Sequence, residues 1–232
     1  MSKRAGRRSQ QQNDFLQPSS PESVSATDVG TNRAFNNGAA TVSFSLPAGS
    51  PAATSFTATS SPGSFTATGA SSPLTVEGLQ SSTSYTFTVT ATNASGTSAP
   101  SSASGSITAT TVPATISAPT ATAGVDSDTL SWTAPSTGGK TISLYRWTSS
   151  DGKTGTPTST YVTITQEANT AQTYQVRAEN ANGNGTYSAN SNSVTTLPPY
   201  FPPYFPPYFP PYFPPTFGPY FPPYFGGFGA YT

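Results

Sequence analysis

Apolar and polar residues alternate along the most regular stretches of the first half of the chain. Residues 41–46 (TVSFSL) and 85–91 (YTFTVTA) place an apolar residue at every second position, with serine or threonine between. A period of two puts one set of side chains on a buried face and the other toward solvent, which indicates β-strands. Turn sequences such as Pro62-Gly63 separate the runs, and no window shows a helical period. Residues 23–113 are therefore predicted to form a sandwich of two sheets.

The same pattern returns in the second half of the chain. Four residues recur at an offset of 87, namely Val89, Ala91, Asn93 and Gly96 as Val176, Ala178, Asn180 and Gly183. Two more recur at an offset of 88, namely Phe44 and Pro47 as Trp132 and Pro135. A repeat of this length indicates tandem domains rather than a solenoid. We predict an all-β chain with a second sandwich over residues 115–197, joined to the first by the segment 111–114.

Residues 130–147 (LSWTAPSTGGKTISLYRW) resemble the B and C strands of a fibronectin type III domain. That family places a tryptophan in strand B, a proline three residues later, a glycine-rich turn and a tyrosine in strand C. This chain has Trp132, Pro135, Gly138-Gly139 and Tyr145 at those places. The resemblance implies two tandem fibronectin type III-like sandwiches. We place Gly138-Gly139 in a hairpin turn.

Residues 78–101 resemble the E–F corner, strand F and F–G loop of the same family. The resemblance implies that Tyr85 is the corner tyrosine, with its hydroxyl bonded back to the preceding turn. Phe44 stands in the first domain where tryptophan is usual, and Gln172 stands in the second domain where the first has Tyr85. The implied structural core residues are Phe44, Tyr85, Trp132 and Tyr145.

The two ends of the chain have compositions unlike the rest. Residues 1–20 are predicted to be a flexible basic arm, because they show no periodicity and carry four cations, namely Lys3, Arg4, Arg7 and Arg8. Two interpretations stay open for the arm, a solvated terminus and an anchor on an acidic protein surface or on nucleic acid. Four charges without interleaved aromatics do not indicate nucleic acid as a partner.

Residues 198–232 form a tail of seven tetrapeptides of the PPYF type, followed by GGFGAYT. Proline at this density excludes a helix or a sheet interior and favours polyproline II. Either the tail is a semi-rigid spacer or its aromatics are an assembly and binding surface, and we favour the second because exposed apolar area of this size marks association. The aromatic residues concerned are Tyr200, Phe201, Tyr204, Phe205, Tyr208, Phe209, Tyr212, Phe213, Phe217, Tyr220, Phe221, Tyr224 and Phe225.

Composition removes most of the usual chemistry. The 232 residues include no histidine and no cysteine, so the commonest general base, the commonest metal ligand and the thiol nucleophile are missing. We expect no enzyme activity, no cofactor and no metal site, and we interpret Asp126-Ser-Asp128 as a turn before a strand. Between Arg33 and Asp126 the only charged residue is Glu77. A neutral surface of serine and threonine has weak long-range electrostatics and packs readily against copies of itself.

The organisation of the chain resembles that of phage virion proteins of the marine and cyanophage type. This resemblance implies a non-enzymatic structural or adhesive protein of the phage head or tail, which is assembled in the host cytoplasm and located in the virion. We expect a homo-oligomer that contacts other virion proteins and host surface glycans. The basic start lacks the apolar run of a secretory signal, and no segment is long enough for a membrane span. The alternative is a bacterial extracellular or cell-surface filament protein that assembles through its PPYF tail.

Overall fold

A computed structural model describes residues 16–199 of the chain. All of these residues belong to one unit, Met1–Pro199. Within residues 16–199 the backbone forms strands and turns and contains no helix, so this part has no helix that could cross a membrane. The all-β prediction is confirmed.

The first sandwich packs two antiparallel sheets against each other. One sheet has the order β1-β2-β5 and the other the order β4-β3-β6-β7, with β8 also paired to β6. The strands are β1 (Glu22–Val29), β2 (Gly38–Ser45), β3 (Ser55–Ser61), β4 (Thr66–Gly69), β5 (Leu74–Leu79), β6 (Ser84–Asn93), β7 (Gly96–Thr97) and β8 (Ile107–Thr108).

The second sandwich repeats this arrangement. Its main sheets have the orders β13-β10-β9 and β12-β11-β15-β16, and β14 pairs with β17 as a separate short ladder. The strands are β9 (Thr120–Gly124), β10 (Ser127–Ser131), β11 (Ile142–Ser149), β12 (Thr154–Gly155), β13 (Tyr161–Thr165), β14 (Ala171–Gln172), β15 (Tyr174–Asn180), β16 (Gly183–Asn184) and β17 (Val194–Thr195). This strand order, with three strands facing four, is that of a fibronectin type III-like sandwich.

Each sandwich has its own hydrophobic core, built by the alternating residues of the facing sheets. In the first core Phe44 packs on Phe56 with ring centroids 4.9 Å apart. In the second, Trp132 lies edge-on to Tyr145 with ring centroids 5.3 Å apart. Burying side chains of this size supplies most of the hydrophobic stabilisation available to a small sandwich.

A ladder of serines closes one side of each sandwich without a regular strand. Ser98, Ser101 and Ser104 each donate a backbone N–H to a carbonyl of β6. The same serines accept through Oγ from the backbone N–H groups of that strand, at 2.9–3.0 Å. A spacing of three suits a chain with three residues per turn, since every third residue then faces the same way. In the second sandwich, Ser188 and Ser191 bond to β15 in the same manner.

The segment 16–20 lies against the first sandwich. Asn93 Nδ2 donates to the carbonyl of Leu16 at 2.8 Å, and the backbone N–H of Ser19 donates to Ser50 Oγ at 3.0 Å. Pro18 is buried. Leu16 and Ser19, which belong to the end of the predicted flexible arm, therefore have hydrogen-bond partners in the folded domain. The rest of the arm lies outside the described residues.

Candidate binding face and interdomain joint

The predicted functional residues fall mostly outside the described range. The cations Lys3, Arg4, Arg7 and Arg8 and the tail aromatics from Tyr200 to Phe225 are not among residues 16–199. The four residues predicted as structural core all lie inside that range and are buried, at 9% exposure or less, namely Phe44, Tyr85, Trp132 and Tyr145. Of the predicted residues, the described part of the chain therefore holds only those of the structural core.

The first sandwich contains a tyrosine corner. The backbone N–H of Gln80 donates to the hydroxyl oxygen of Tyr85 at 3.0 Å, so the hydroxyl bonds back to the turn before its own strand. At the matching place in the second sandwich, Gln172 is buried and its side-chain oxygen accepts from Ser150 Oγ at 2.5 Å. The Gln172 amide therefore bonds to the turn after β11 and does not reproduce the bond that Tyr85 makes to the turn before its own strand.

A carboxylate is buried in the core of the second sandwich. Asp128 has no exposed surface, and its two oxygens accept from the hydroxyls of Tyr174 at 2.6 Å and Thr196 at 3.0 Å. Burial, followed by the bond to Asp128, raises the pKa of Tyr174 above its ordinary value. Asp126 lies in the turn, whereas Asp128 is already in β10, so the two carboxylates do not converge on a cation. Among residues 16–199 no group of three acidic side chains could hold a metal ion.

The segment predicted as the joint between the sandwiches is bonded on both sides. The backbone N–H of Val112 donates to the carbonyl of Arg33 in the first sandwich at 3.0 Å. The N–H groups of Thr111 and Ala114 donate to the carbonyls of Gly138 and Ser136 in the second, at 2.8 and 3.0 Å. A connection whose backbone N–H groups are all paired in this way behaves as part of the fold rather than as a flexible linker.

Side chains reinforce the joint. Asn182 of the second sandwich donates through Nδ2 to Thr110 Oγ1 at 2.7 Å, and its carbonyl accepts from the N–H of Asn32 at 2.7 Å. The carboxylate of Asp28 accepts from both the N–H and the hydroxyl of Thr110. A relay of hydrogen bonds therefore runs from Asp28 through Thr110 to Asn182, across the junction.

The Gly138-Gly139 pair belongs to this joint, and its prediction as a hairpin turn is wrong. Strands β10 and β11, which flank the pair, lie in different sheets and do not bond to each other. The backbone instead crosses between the sheets. A Cβ at Gly138 would lie 2.5 Å from the carbonyl oxygens of Thr111 and Val112, and the φ of Gly138 is +71°. Only glycine fits this conformation and this approach.

The outer face of β3 and β6 in the first sandwich is a neutral array. It is covered by facing pairs of threonines, such as Thr57 with Thr90 and Thr59 with Thr88. Thr57 Oγ1 also lies 3.1 Å from Thr68 Oγ1 on β4. All outward residues of these two strands are serine or threonine. Thr57 and Thr92 bond through their hydroxyls to threonines of the adjacent strands, and none of the outward residues of β3 and β6 is charged.

The equivalent face of the second sandwich is charged and aromatic, and we call it the basic face. Arg146 on β11 lies directly opposite Arg177 on β15. Arg146 Nη2 is 3.6 Å from Glu179 Oε2, and the guanidinium of Arg177 lies over the ring of Tyr187 at 4.7 Å. Asn184, in the amide orientation that satisfies both neighbours, donates to Glu179 and accepts from Arg177. Two positive charges therefore share one negative charge.

A cavity continues the basic face along the same two strands. It has a volume of about 160 Å³ and is lined by hydroxyl and amide side chains, namely Thr148, Ser149, Ser150, Thr173, Gln175 and Asn190. Beside it, Asp151 has a pKa lowered to about 2, because the Ser149 hydroxyl and the Gln166 amide donate to its carboxylate. Lys153 lies 3.6 Å from that carboxylate, so the hairpin adds no net charge to the face.

Sequence reasoning missed the basic face. The signal was present, because Arg146 stands between Tyr145 and Trp147, and Arg177 between Val176 and Ala178. Alternation places both arginines outward. Alternation does not predict which residue of one strand pairs with which residue of the other. That register is what places Arg146 opposite Arg177.

Several solved structures are similar to parts of this chain. The FN1–FN3 domains of chicken CNTN1 match 78% of this chain and 67% of their own, at 19% identity and a TM-score of 0.47. A structure of titin kinase and its flanking domains matches 37% of this chain and 17% of its own, at 26% identity and a TM-score of 0.32. The twitchin kinase region from C. elegans matches 38% of this chain and 17% of its own, at 23% identity and a TM-score of 0.33. No protein-family model and no curated protein matches the chain.

The strand order and the tyrosine corner define the class from the structure itself. The described part of the chain is a tandem of two fibronectin type III-like sandwiches.

Proposed function

We propose that this chain is a non-enzymatic structural and adhesive protein of a phage virion. In this proposal the basic arm anchors the protein, the tandem sandwiches hold a binding face away from the particle, and the PPYF tail assembles copies or attaches them. The protein acts in the virion, with other virion proteins and host surface glycans as its partners.

The interdomain joint is the observation that carries this proposal. A spacer that presents a face at a fixed distance needs a connection that does not bend freely. The bonds of Val112 to Arg33 and of Asn182 to Thr110 supply such a connection. The chain has neither histidine nor cysteine, so the commonest general base and the thiol nucleophile are missing from it.

The different outer faces of the two sandwiches support different roles for them, namely packing for the first and ligand binding for the second. The serine and threonine face of the first offers neutral hydroxyls and methyl groups, which suit close packing against neighbouring copies or virion proteins. The basic face of the second presents Arg146, Arg177 and Tyr187, residue types that bind ligands strongly. Weak contacts by such a face gain strength when many copies act together.

Labelling of purified particles tests the proposal. An antibody against residues 16–199 should decorate intact virions at regular positions, and the protein should co-purify with particles through a density gradient. Antibody that labels filaments or the surface of uninfected bacteria, and leaves particles unlabelled, would establish the cell-surface alternative and refute the virion role.

A further inference from the structure

We propose that the basic face binds the carboxylate groups of an acidic, uronate-containing polysaccharide. The inference rests on the proposed adhesive function and assigns a ligand class to it. Arg146 and Arg177 hold the carboxylate, and the neighbouring hydroxyl and amide side chains contact the sugar hydroxyls.

The arrangement of charge is the first argument. Like charges on directly opposed positions of two strands destabilise a sheet, and Arg146 and Arg177 occupy such positions. Among residues 16–199, Glu179 is the one carboxylate that contacts them, and its oxygen is 3.6 Å from Arg146, too far for a hydrogen bond. The face is therefore short of one negative charge. A ligand carboxylate supplies that charge and accepts two parallel N–H bonds from a guanidinium.

The fixed position of the guanidiniums is the second argument. The Nε atom of each arginine is buried and has no hydrogen-bond partner in the described part of the chain, so both side chains lie along the sheet instead of extending into water. Tyr187 covers one side of Arg177 at 4.7 Å. A guanidinium already held in place loses less conformational entropy when it binds a carboxylate.

The adjoining cavity is the third argument. Its lining of Thr148, Gln175 and Asn190 offers donors and acceptors without charge, next to the arginine pair on the same strands. Sugar hydroxyls need both kinds of partner, whereas a phosphate-rich polymer needs cations along its length. Among the outward residues of β11 and β15, only the arginine pair and Glu179 are charged. One carboxylated sugar fits this distribution better than a nucleic acid does.

The first sandwich provides an internal comparison. Thr90 and Thr92 stand at the places of Arg177 and Glu179, at the same offset of 87. The sandwich therefore folds without charge on this face. This fold therefore does not require the arginines, whose mutual repulsion opposes their position on facing strands.

Binding of the full-length chain to polygalacturonate tests the inference, with dextran as the neutral polymer and duplex DNA as the phosphate polymer. Arg146→Gln and Arg177→Gln each remove one charge from the face. Lys140→Gln removes one charge from an exposed turn of the same sandwich and is the matched control. Thermal melts verify that every variant is folded.

We expect each arginine variant to bind polygalacturonate at least about tenfold more weakly, because a charge-assisted pair is lost. Lys140→Gln should change the affinity less than about twofold, as expected for an exposed charge. Dextran should not bind. Equal losses for all three variants, tighter binding to duplex DNA, or no binding to polygalacturonate would each overturn the inference.

Failure here can be told apart from failure of the virion role. If polygalacturonate does not bind but particles are still labelled by the antibody, the virion proposal stands and only the ligand class is wrong. If particles are unlabelled but the arginine variants lose binding, the ligand class stands without the virion.

Discussion

Tyr174 donates its hydroxyl hydrogen to the buried carboxylate of Asp128, at 2.6 Å, in the core of the second sandwich. The first sandwich has Phe87 at the equivalent place, where no such bond is possible. The two modules thus share strand order but not core chemistry. A polar core group of this kind stabilises the fold only while all its partners are present.

Removing either Asp128 or Tyr174 alone should therefore lower the free energy of unfolding by more, per side chain removed, than removing both. Asp128→Ala leaves the hydroxyls of Tyr174 and Thr196 unpaired and should destabilise the protein by about 1–3 kcal/mol beyond the loss of packing. Tyr174→Phe deprives the carboxylate of its shortest bond and should have a similar cost. Urea denaturation of both single variants and the double variant gives the coupling energy. Losses that simply add would show that the two side chains act independently.

Alkaline pH should weaken the second sandwich through the same tyrosine. The folded-state pKa of Tyr174 lies above its ordinary value of 10.0, so above pH 10 the unfolded chain releases this proton while the folded chain retains it. Stability is therefore fully present below pH 10 and is lost as the pH rises. One such group contributes a slope of about 1.4 kcal/mol per pH unit.

Tyr174→Phe is the matching control for that pH dependence. Its free energy of unfolding should decline less steeply between pH 10 and 12, with the remaining slope arising in part from Tyr145, whose pKa burial also raises. Parallel slopes for the two proteins would contradict the assignment to Tyr174.

The core was largely predictable from the sequence, because alternation and the repeat determine which residues face inward. Trp132 and Phe44, predicted at matching places, are both buried. The buried Asp128 was not predictable, since a carboxylate next to a turn is ordinarily solvated. The partner that makes its burial possible, Tyr174, is 46 residues away along the chain and meets it only after folding.

The joint should be more sensitive to substitution than any exposed turn. Gly138→Ala and Gly152→Ala both force alanine into left-handed backbone, at φ +71° and +85°, which costs about 1–2 kcal/mol. Nothing lies within 4 Å of a Cβ at Gly152, whereas a Cβ at Gly138 meets two carbonyl oxygens at 2.5 Å. We expect Gly138→Ala to cost about 1–3 kcal/mol more in urea denaturation. Equal costs would mean that the joint is loosely packed.

The joint and the serine ladder show what local patterns leave out. The sequence predicts a linker at 111–114, but the partners of that linker, Gly138 and Asn182, come from distant loops. The ladder did leave a signal, because Ser101 and Ser104 recur as Ser188 and Ser191 at the offset of 87. Serine at every third position is ordinarily taken to indicate a loop, however. It predicts an ordered segment only if the chain has the polyproline II conformation, with three residues per turn.

The tail should mediate self-association, a prediction that rests on the sequence alone. A chain ending at Pro199 should sediment as a monomer at concentrations where the full-length chain is oligomeric, because each buried aromatic is worth about 1.5–3 kcal/mol. A tail of the same length with serine in place of every tyrosine and phenylalanine keeps the prolines and is the control. Association that survives in this control would make the tail a spacer.

The central claim is that the two sandwiches form one rigid spacer, and ¹⁵N relaxation tests it most directly. The chain ending at Pro199 keeps the whole described unit and omits the residues predicted to associate. Amides of both sandwiches should report a single rotational correlation time, and Asn182→Ala, which removes the bond to Thr110, should separate the two values. Two different correlation times in the unsubstituted protein would contradict the account.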